Sequence, residues 1–166
     1  MIFYRSIFAL VIAGPLAAQQ PAAPPAFKGV WEPVSFSEDL DFREVFFVTI
    51  DKGWVAGSKG TIIHTRDGGA TWTAQMGGDP QAADDPVKLL RFLDETHGWA
   101  VIAGAGSRGG RILRTVDGES WEDLGAAPDY VHALAMSSPT DGVAAGYLGM
   151  GRTPSTLLKT RDGGKT

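Results

Sequence analysis

The 166-residue chain has no cysteine. That excludes disulfide frameworks, thiolate zinc sites, cysteine nucleophiles and lipid attachment through an N-terminal cysteine, so the fold must hold by packing. Positive charge is also scarce. Fifteen Lys and Arg stand against nineteen Asp and Glu, for a net charge of -4, and the basic residues form no cluster. A nucleic-acid backbone and an anionic membrane surface are therefore excluded as partners. Long apolar runs are missing too. The longest near the N-terminus, Ile7 to Ala13, is far short of the about 20 residues that cross a bilayer, so no stable membrane span is expected once the leader is removed. No segment sustains a 3.6-residue apolar period, so helices should be few.

What is present begins with glycine, 22 residues of 166 without a collagen-like triplet, which suits many tight turns between short strands. At the N-terminus Arg5 precedes the apolar run, followed by Gly14-Pro15 and the small residues Ala17-Ala18. This is the layout of a secretory signal peptide over residues 1–18, and it implies export to the periplasm or the cell exterior. Residues 19–29 read as a Pro/Ala linker.

Three segments then carry the same ordered features. The first has VFFVTI, Gly53-Trp54, Gly57 and TIIHT. The second has LLRFL, Gly98-Trp99, Gly104 and RILRT. The third has VHALAM, Gly142-Val143, Gly146 and TLLKT. The glycines at 53, 98 and 142 are 45 and 44 residues apart. Within each unit the apolar stretches are short, rich in Val, Ile, Leu, Phe and Trp, and bounded by turn residues, so they read as strands. In the first unit these are strand a from Val45 to Ile50, b from Trp54 to Ala56, c from Thr61 to Thr65 and d from Thr71 to Gln75. A repeated four-stranded antiparallel unit of this length is a β-propeller blade. The expectation is all-β, with blade 1 over 43–76, blade 2 over 88–125 and an incomplete blade 3 over 131–166 lacking its strand d. The whole spans residues 30–166. Three blades fall short of the about four to eight that close a ring. The chain is expected to cover part of one, with residues 30–35, VWEPVS, as a closing strand similar to the strand-d segments that follow Trp72 and Trp121.

Each c-to-d turn carries one string: Thr65, Asp67, Gly69, Thr71 and Trp72 in the first unit, Thr115, Asp117 and Trp121 in the second, Thr160, Asp162 and Gly164 in the third. The aspartate is placed to accept hydrogen bonds from the turn's backbone N–H groups, the glycines permit positive φ, and the tryptophan lays an apolar face over the hairpin. With its Gly-Trp-Val-Ala-Gly and Gly-Thr-Ile-Ile strings, the chain resembles the Asp-box, or bacterial neuraminidase repeat, propellers, and most of all those related to the photosystem II stability and assembly factor. The second copy departs from the pattern, being one residue shorter with Glu119 near the second glycine. The resemblance implies an exported propeller with structural Asp boxes, acting as a binding or assembly-factor-like scaffold, and it names no substrate.

Sharper chemistry finds little support. Gly104 to Gly109 has GxGxxG spacing but leads into a strand instead of a helix. The nucleophile-elbow spacing around Ser107 fails for the same reason. The terminal Gly-Gly-Lys-Thr lacks the first glycine of a P-loop, where Lys159 stands. His64, His97 and His132 share no ligand spacing, so no metal, cofactor or catalytic residue is expected. The alternative is a glycosidase, sialidase-like or glucan-cleaving, whose catalytic residues lie largely in blades outside this chain. The candidate binding face follows from strand order: b-to-c loops lie opposite the Asp boxes and carry Lys59, Arg108 and Arg111, and Arg152. That is basic chemistry suited to an anionic ligand or an acidic segment of a protein partner.

Overall fold

The computed structural model describes residues 32–34, 40–77, 85–104, 110–126, 130–147 and 155–165. Residues 1–35 and 36–166 form two separate units. In the first only Glu32, Pro33 and Val34 are described; they are exposed and belong to no strand. The signal and linker assignments lie outside the described residues, as does most of the expected closing strand.

The second unit is all-β, three antiparallel sheets in sequence order. The first joins β1 (Phe42–Phe47), β2 (Gly53–Gly57), β3 (Ile62–Thr65) and β4 (Thr73–Met76). The second joins β5 (Val87–Phe92), β6 (Gly98–Ile102), β7 (Arg111–Thr115) and β8 (Glu122–Ala126). The third has three strands, β9 (Tyr130–Met136), β10 (Gly142–Tyr147) and β11 (Ser155–Thr160). In each, neighbours in sequence are neighbours in the sheet, the meander of a propeller blade. The only helical element among the described residues is a three-residue 3-10 turn, Ser58–Gly60, between β2 and β3.

The strands of the first unit shift from the sequence expectation by one to three residues at most of their ends, and at two of these a side chain captures the backbone. β1 ends at Phe47 and not at Ile50, since Thr49 Oγ1 accepts the Lys52 N–H at 2.9 Å and bends the chain. β4 begins at Thr73 and not at Thr71, since the Thr71 N–H is bound by the Asp67 carboxylate at 2.8 Å.

The repeated glycine of each unit has a steric cause. Gly53, Gly98 and Gly142 pair across the ladder with Phe47, Phe92 and Met136, the last residues of the first strands. A Cβ on any of the three would run into that neighbour's side chain. The absent side chain lets the ring or thioether fold down over the second strand.

The core lies between sheets. Alternation sends Trp54, Ala56 and Ile62 of blade 1 toward blade 2, where they meet Val87, Leu90, Phe92, Ala100, Ile102 and Leu113. Trp54 stacks on Phe92 with ring centroids 3.7 Å apart, and Trp121 meets the edge of Phe92 at 5.8 Å. The opposite face of blade 2 sends Leu89, Val101 and Ile112 toward Val131, Leu134 and Ala144 of blade 3. This second junction is thinner. Met136 stands where blade 2 has Phe92, and an apolar cavity of about 150 Å³ remains, lined by Trp99, Ile112, Ala126, Leu134, Met136 and Leu158 among others.

Unequal junctions imply unequal mutational costs. Phe92→Ala removes a ring stacked across a filled interface and should cost roughly 3–5 kcal/mol, whereas Met136→Ala, at a half-buried side chain beside an existing void, should cost less than the about 2–5 kcal/mol usual for a buried methionine. Urea unfolding of the two variants measures the difference, and a larger loss for Met136→Ala contradicts this packing order.

Candidate functional site

The three c-to-d turns are built around one hydrogen-bonded pair. Thr65 Oγ1 donates to Asp67 Oδ1 at 2.8 Å and accepts the Gly69 N–H at 2.9 Å. Asp67 accepts the Thr71 N–H at 2.8 Å and the Thr71 hydroxyl at 2.6 Å. Gly68 and Gly69 turn the chain at φ 71° and 94°, where a side chain would be strained. The Trp72 ring lies beside Gly69 and meets Phe47 edge-on at 6.3 Å. In the third blade the pattern recurs: Thr160 donates to Asp162 at 2.8 Å and accepts the Gly164 N–H at 2.8 Å.

The shorter second box keeps the same kernel. Thr115 donates to Asp117 at 3.0 Å and accepts the N–H one residue earlier, from Gly118, at 2.8 Å. Ser120 takes the part of Thr71, donating to Asp117 Oδ2 at 2.6 Å. Glu119 is thereby left to point out of the turn, and it reaches the neighbouring blade, with Oε1 2.6 Å from the Arg66 guanidinium. Trp121 sends its indole N–H to Gln75 Oε1 of blade 1 at 3.1 Å, and Gln75 Nε2 donates to the Gly118 carbonyl at 2.8 Å.

Hydrogen bonding holds the box carboxylates ionised. The Thr71 hydroxyl and N–H, with Thr65, push Asp67 down to about 2 from an ordinary 3.8, and Ser120 and its N–H hold Asp117 lower still. Carboxylates so low and so fully engaged with their own turn are poor proton donors and have little capacity left for a ligand. The a-to-b loops on the same side are also self-sufficient. Thr49, Asp94 and Ser138 each cap the loop that follows, with Asp94 accepting the Thr96 and His97 N–H groups at 2.7 and 2.8 Å and Ser138 the Asp141 N–H at 2.8 Å. These three sit 45 and 44 residues apart, a signal present in the repeat spacing though carried by three different residue types.

The candidate basic face is only partly placed. Lys59 occupies the 3-10 turn with φ 54°, the only left-handed non-glycine among the described residues. Its turn is pinned on both sides, by the Ser58 N–H to the Asp41 carbonyl at 2.9 Å and the Gly60 N–H to the Asp85 carbonyl at 3.0 Å. Arg111 opens β7 and is paired with Asp123 of β8 at 2.8 Å. Arg108 and Arg152 lie outside the described residues. Among those described, no group of acidic, histidine or cysteine side chains has the arrangement of a metal site, and no helix is long and apolar enough to cross a membrane.

Serial antiparallel meanders, two of four strands and one of three, with a Thr–Asp turn in each define a β-propeller repeat protein of the Asp-box class. The family model described as photosynthesis system II assembly factor YCF48 matches residues 23–87. A curated relative, photosystem II assembly lipoprotein Ycf48 of Synechococcus sp. (strain CC9902), is 32% identical over 120 residues, covering 68% of this chain and 34% of the relative. The chain belongs to the BNR-repeat family of the Ycf48 photosystem II assembly factor. A solved structure described as YCF48 bound to D1 peptide aligns with TM-score 0.63 and 22% identity, over 91% of this chain and 46% of that one. YCF48 from Cyanidioschyzon merolae aligns with TM-score 0.59 and 19% identity, over 80% and 40%. This chain thus spans about a third of the curated relative's length and less than half of either solved structure.

The turn chemistry predicts how stability responds. Thr65 is 1% exposed, and Thr65→Val, which keeps its shape, should cost on the order of 1–3 kcal/mol by stranding the Gly69 N–H. Because folding depresses the Asp67 pKa, its contribution is complete above 3.8 and is lost as pH falls toward 2. Asp67→Asn should therefore lower the thermal midpoint at pH 7 and flatten its decline between pH 4 and 2. A midpoint unchanged at pH 7 would contradict the structural role of the box.

Proposed function

We propose that this chain acts as an exported, non-catalytic propeller scaffold that binds a segment of a protein partner, in the manner of an assembly factor. The observation that carries the reading is the commitment of the box carboxylates: each described Asp box uses its aspartate to fasten its own turn, which makes that face structural. Successive hairpins alternate between the two ends of a blade, so the b-to-c loops lie at the other end. Loops held by a rigid scaffold are where recognition resides. There Lys59 is presented from an anchored turn and Arg111 from a strand end, with Arg108 and Arg152 in the corresponding loops of the sequence. The Arg111–Asp123 pair is half-exposed on both sides, so it is weak and can yield to a ligand carboxylate.

Kinship with a photosystem II assembly lipoprotein, and the likeness to a structure solved with a D1 peptide, support a protein partner. The acidic balance of the chain makes local basic loops stand out, and we assign to them an anionic ligand or an acidic peptide segment. We read export from the leader-like layout of residues 1–18.

Replacing Lys59, Arg108, Arg111 and Arg152 together by alanine should weaken binding of a fluorescently labelled acidic peptide at least several-fold, and raised salt should weaken the native chain's binding likewise. The thermal midpoint should move little. Fluorescence anisotropy, with a neutral peptide of equal length as control, provides the measurement. Undiminished binding by the quadruple variant would remove these loops from the interface.

A further inference from the structure

One position of the repeat changes its chemistry between blades. The residue before each box threonine is basic in all three units: His64, Arg114 and Lys159. In the first two blades it sits in a cross-strand row beside the tryptophan of the second strand, His64 opposite Trp54 and Arg114 opposite Trp99. The next residue in the row differs. Arg114 faces Glu122, whose carboxylate lies 2.9 Å from the guanidinium, whereas His64 faces Thr73, which carries no charge.

His64 is 4% exposed. Its ring stacks on Trp54 at a centroid distance of 4.7 Å, and Trp54 in turn stacks on Phe92 of blade 2, so the imidazole belongs to the aromatic seam between the blades. Its Nε2 is buried without a hydrogen-bond partner. The charged groups around it come from four places. Arg66 follows its own strand, and Lys52 comes from the loop before β2. From blade 2, Glu119 reaches within 3.9 Å of Nδ1, and Glu95 is paired with Lys52 at 3.7 Å. The nearest carboxylate is already engaged, for Glu119 holds Arg66 at 2.6 Å.

We infer that the junction between blades 1 and 2 is an acid-sensitive joint, in which a proton on His64 places in the aromatic seam a buried cation that Glu119, already holding Arg66, answers only in part, and so loosens it. The inference concerns the junction itself and does not depend on what the propeller binds. The energetic direction agrees with the geometry. Burial, aided by Lys52 and Arg66 and only partly opposed by Glu119, lowers the imidazole pKa below its ordinary 6.5. The unfolded chain then takes up the proton more readily, so the stability that neutral His64 contributes is complete above 6.5 and drains away as pH falls below it.

The blade 2 arrangement supplies the decisive variant. Thr73 is exposed, so Thr73→Glu should be tolerated, and it sets opposite His64 the carboxylate that Arg114 has in Glu122. In the native chain, NMR titration of the three imidazoles should show His64 protonating below pH 6.5, and the thermal midpoint should drop between pH 7.5 and 5 by roughly 2–4 °C more than in His64→Phe. In Thr73→Glu the His64 titration should move upward and the extra drop should shrink. Titration of native His64 at or above 6.5 overturns the inference, as does a Thr73→Glu chain with the native pH slope. The NMR titration and the Thr73→Glu comparison decide the matter even where His64→Phe does not fold.

Discussion

The arc depends on a single contact between neighbours: the tryptophan of one blade's second strand set against the Asp-box turn of the next. Trp99 sends its indole N–H to the Gly163 carbonyl of blade 3 at 2.9 Å. Trp54 approaches Gly118 of blade 2 closely enough that a Cβ there would sit 3.5 Å from its ring. A four-stranded meander cannot bury both of its faces alone, so each sheet needs a neighbour packed against its face. At the second junction the box turn meets that need with a backbone carbonyl for the Trp99 indole, whereas at the first the Trp54 indole N–H has no hydrogen-bond partner and the Gly118 carbonyl accepts from Gln75. The box's aspartate, threonine and glycines hold the turn, and the turn receives the preceding blade.

Where this contact is supported by aromatic packing the junction is filled, and where it is not a void appears. Blade 1 meets blade 2 through Phe46, Trp54, Phe92 and Trp121, with Arg91–Glu44 and Arg66–Glu119 pairs at the margins. The exposed Arg66–Glu119 pair contributes little beside the rings. Blade 2 meets blade 3 through smaller aliphatic side chains, and Gln75, which bridges the first junction, has as its counterpart in the second Leu124, whose side chain lies beside Gly164. The indole bond to Gly163 then bears more of the second junction's order.

Much of this was legible in the sequence, because the repeat displays it three times. The repeated glycines, the box residues and the three-stranded third sheet are visible as spacing, and the antiparallel meander follows from strand lengths and turn residues. What spacing could not reveal is contact between units. Glu119 looks like a defect in the second box, and only its Arg66 partner explains what a longer acidic side chain does there. His64 reads as one more strand residue until Thr73 and Glu122 are compared across blades. Arg111 reads as free charge until Asp123 is found opposite. In each case the partner is set by register or by blade stacking, which a linear periodicity does not encode.

The central claim, that a tryptophan of one blade orders the box turn of the next, is tested most directly by native-state hydrogen exchange of the Gly163 and Gly164 amides in Trp99→Phe. That substitution keeps an aromatic ring and removes the indole N–H. Both amides, which are bonded to the Thr140 carbonyl and to Thr65's counterpart Thr160, should exchange faster, while the Gly69 amide of blade 1 should be unchanged. Unaltered exchange at Gly163 and Gly164 would show that each box turn stands by itself, and the account would be wrong.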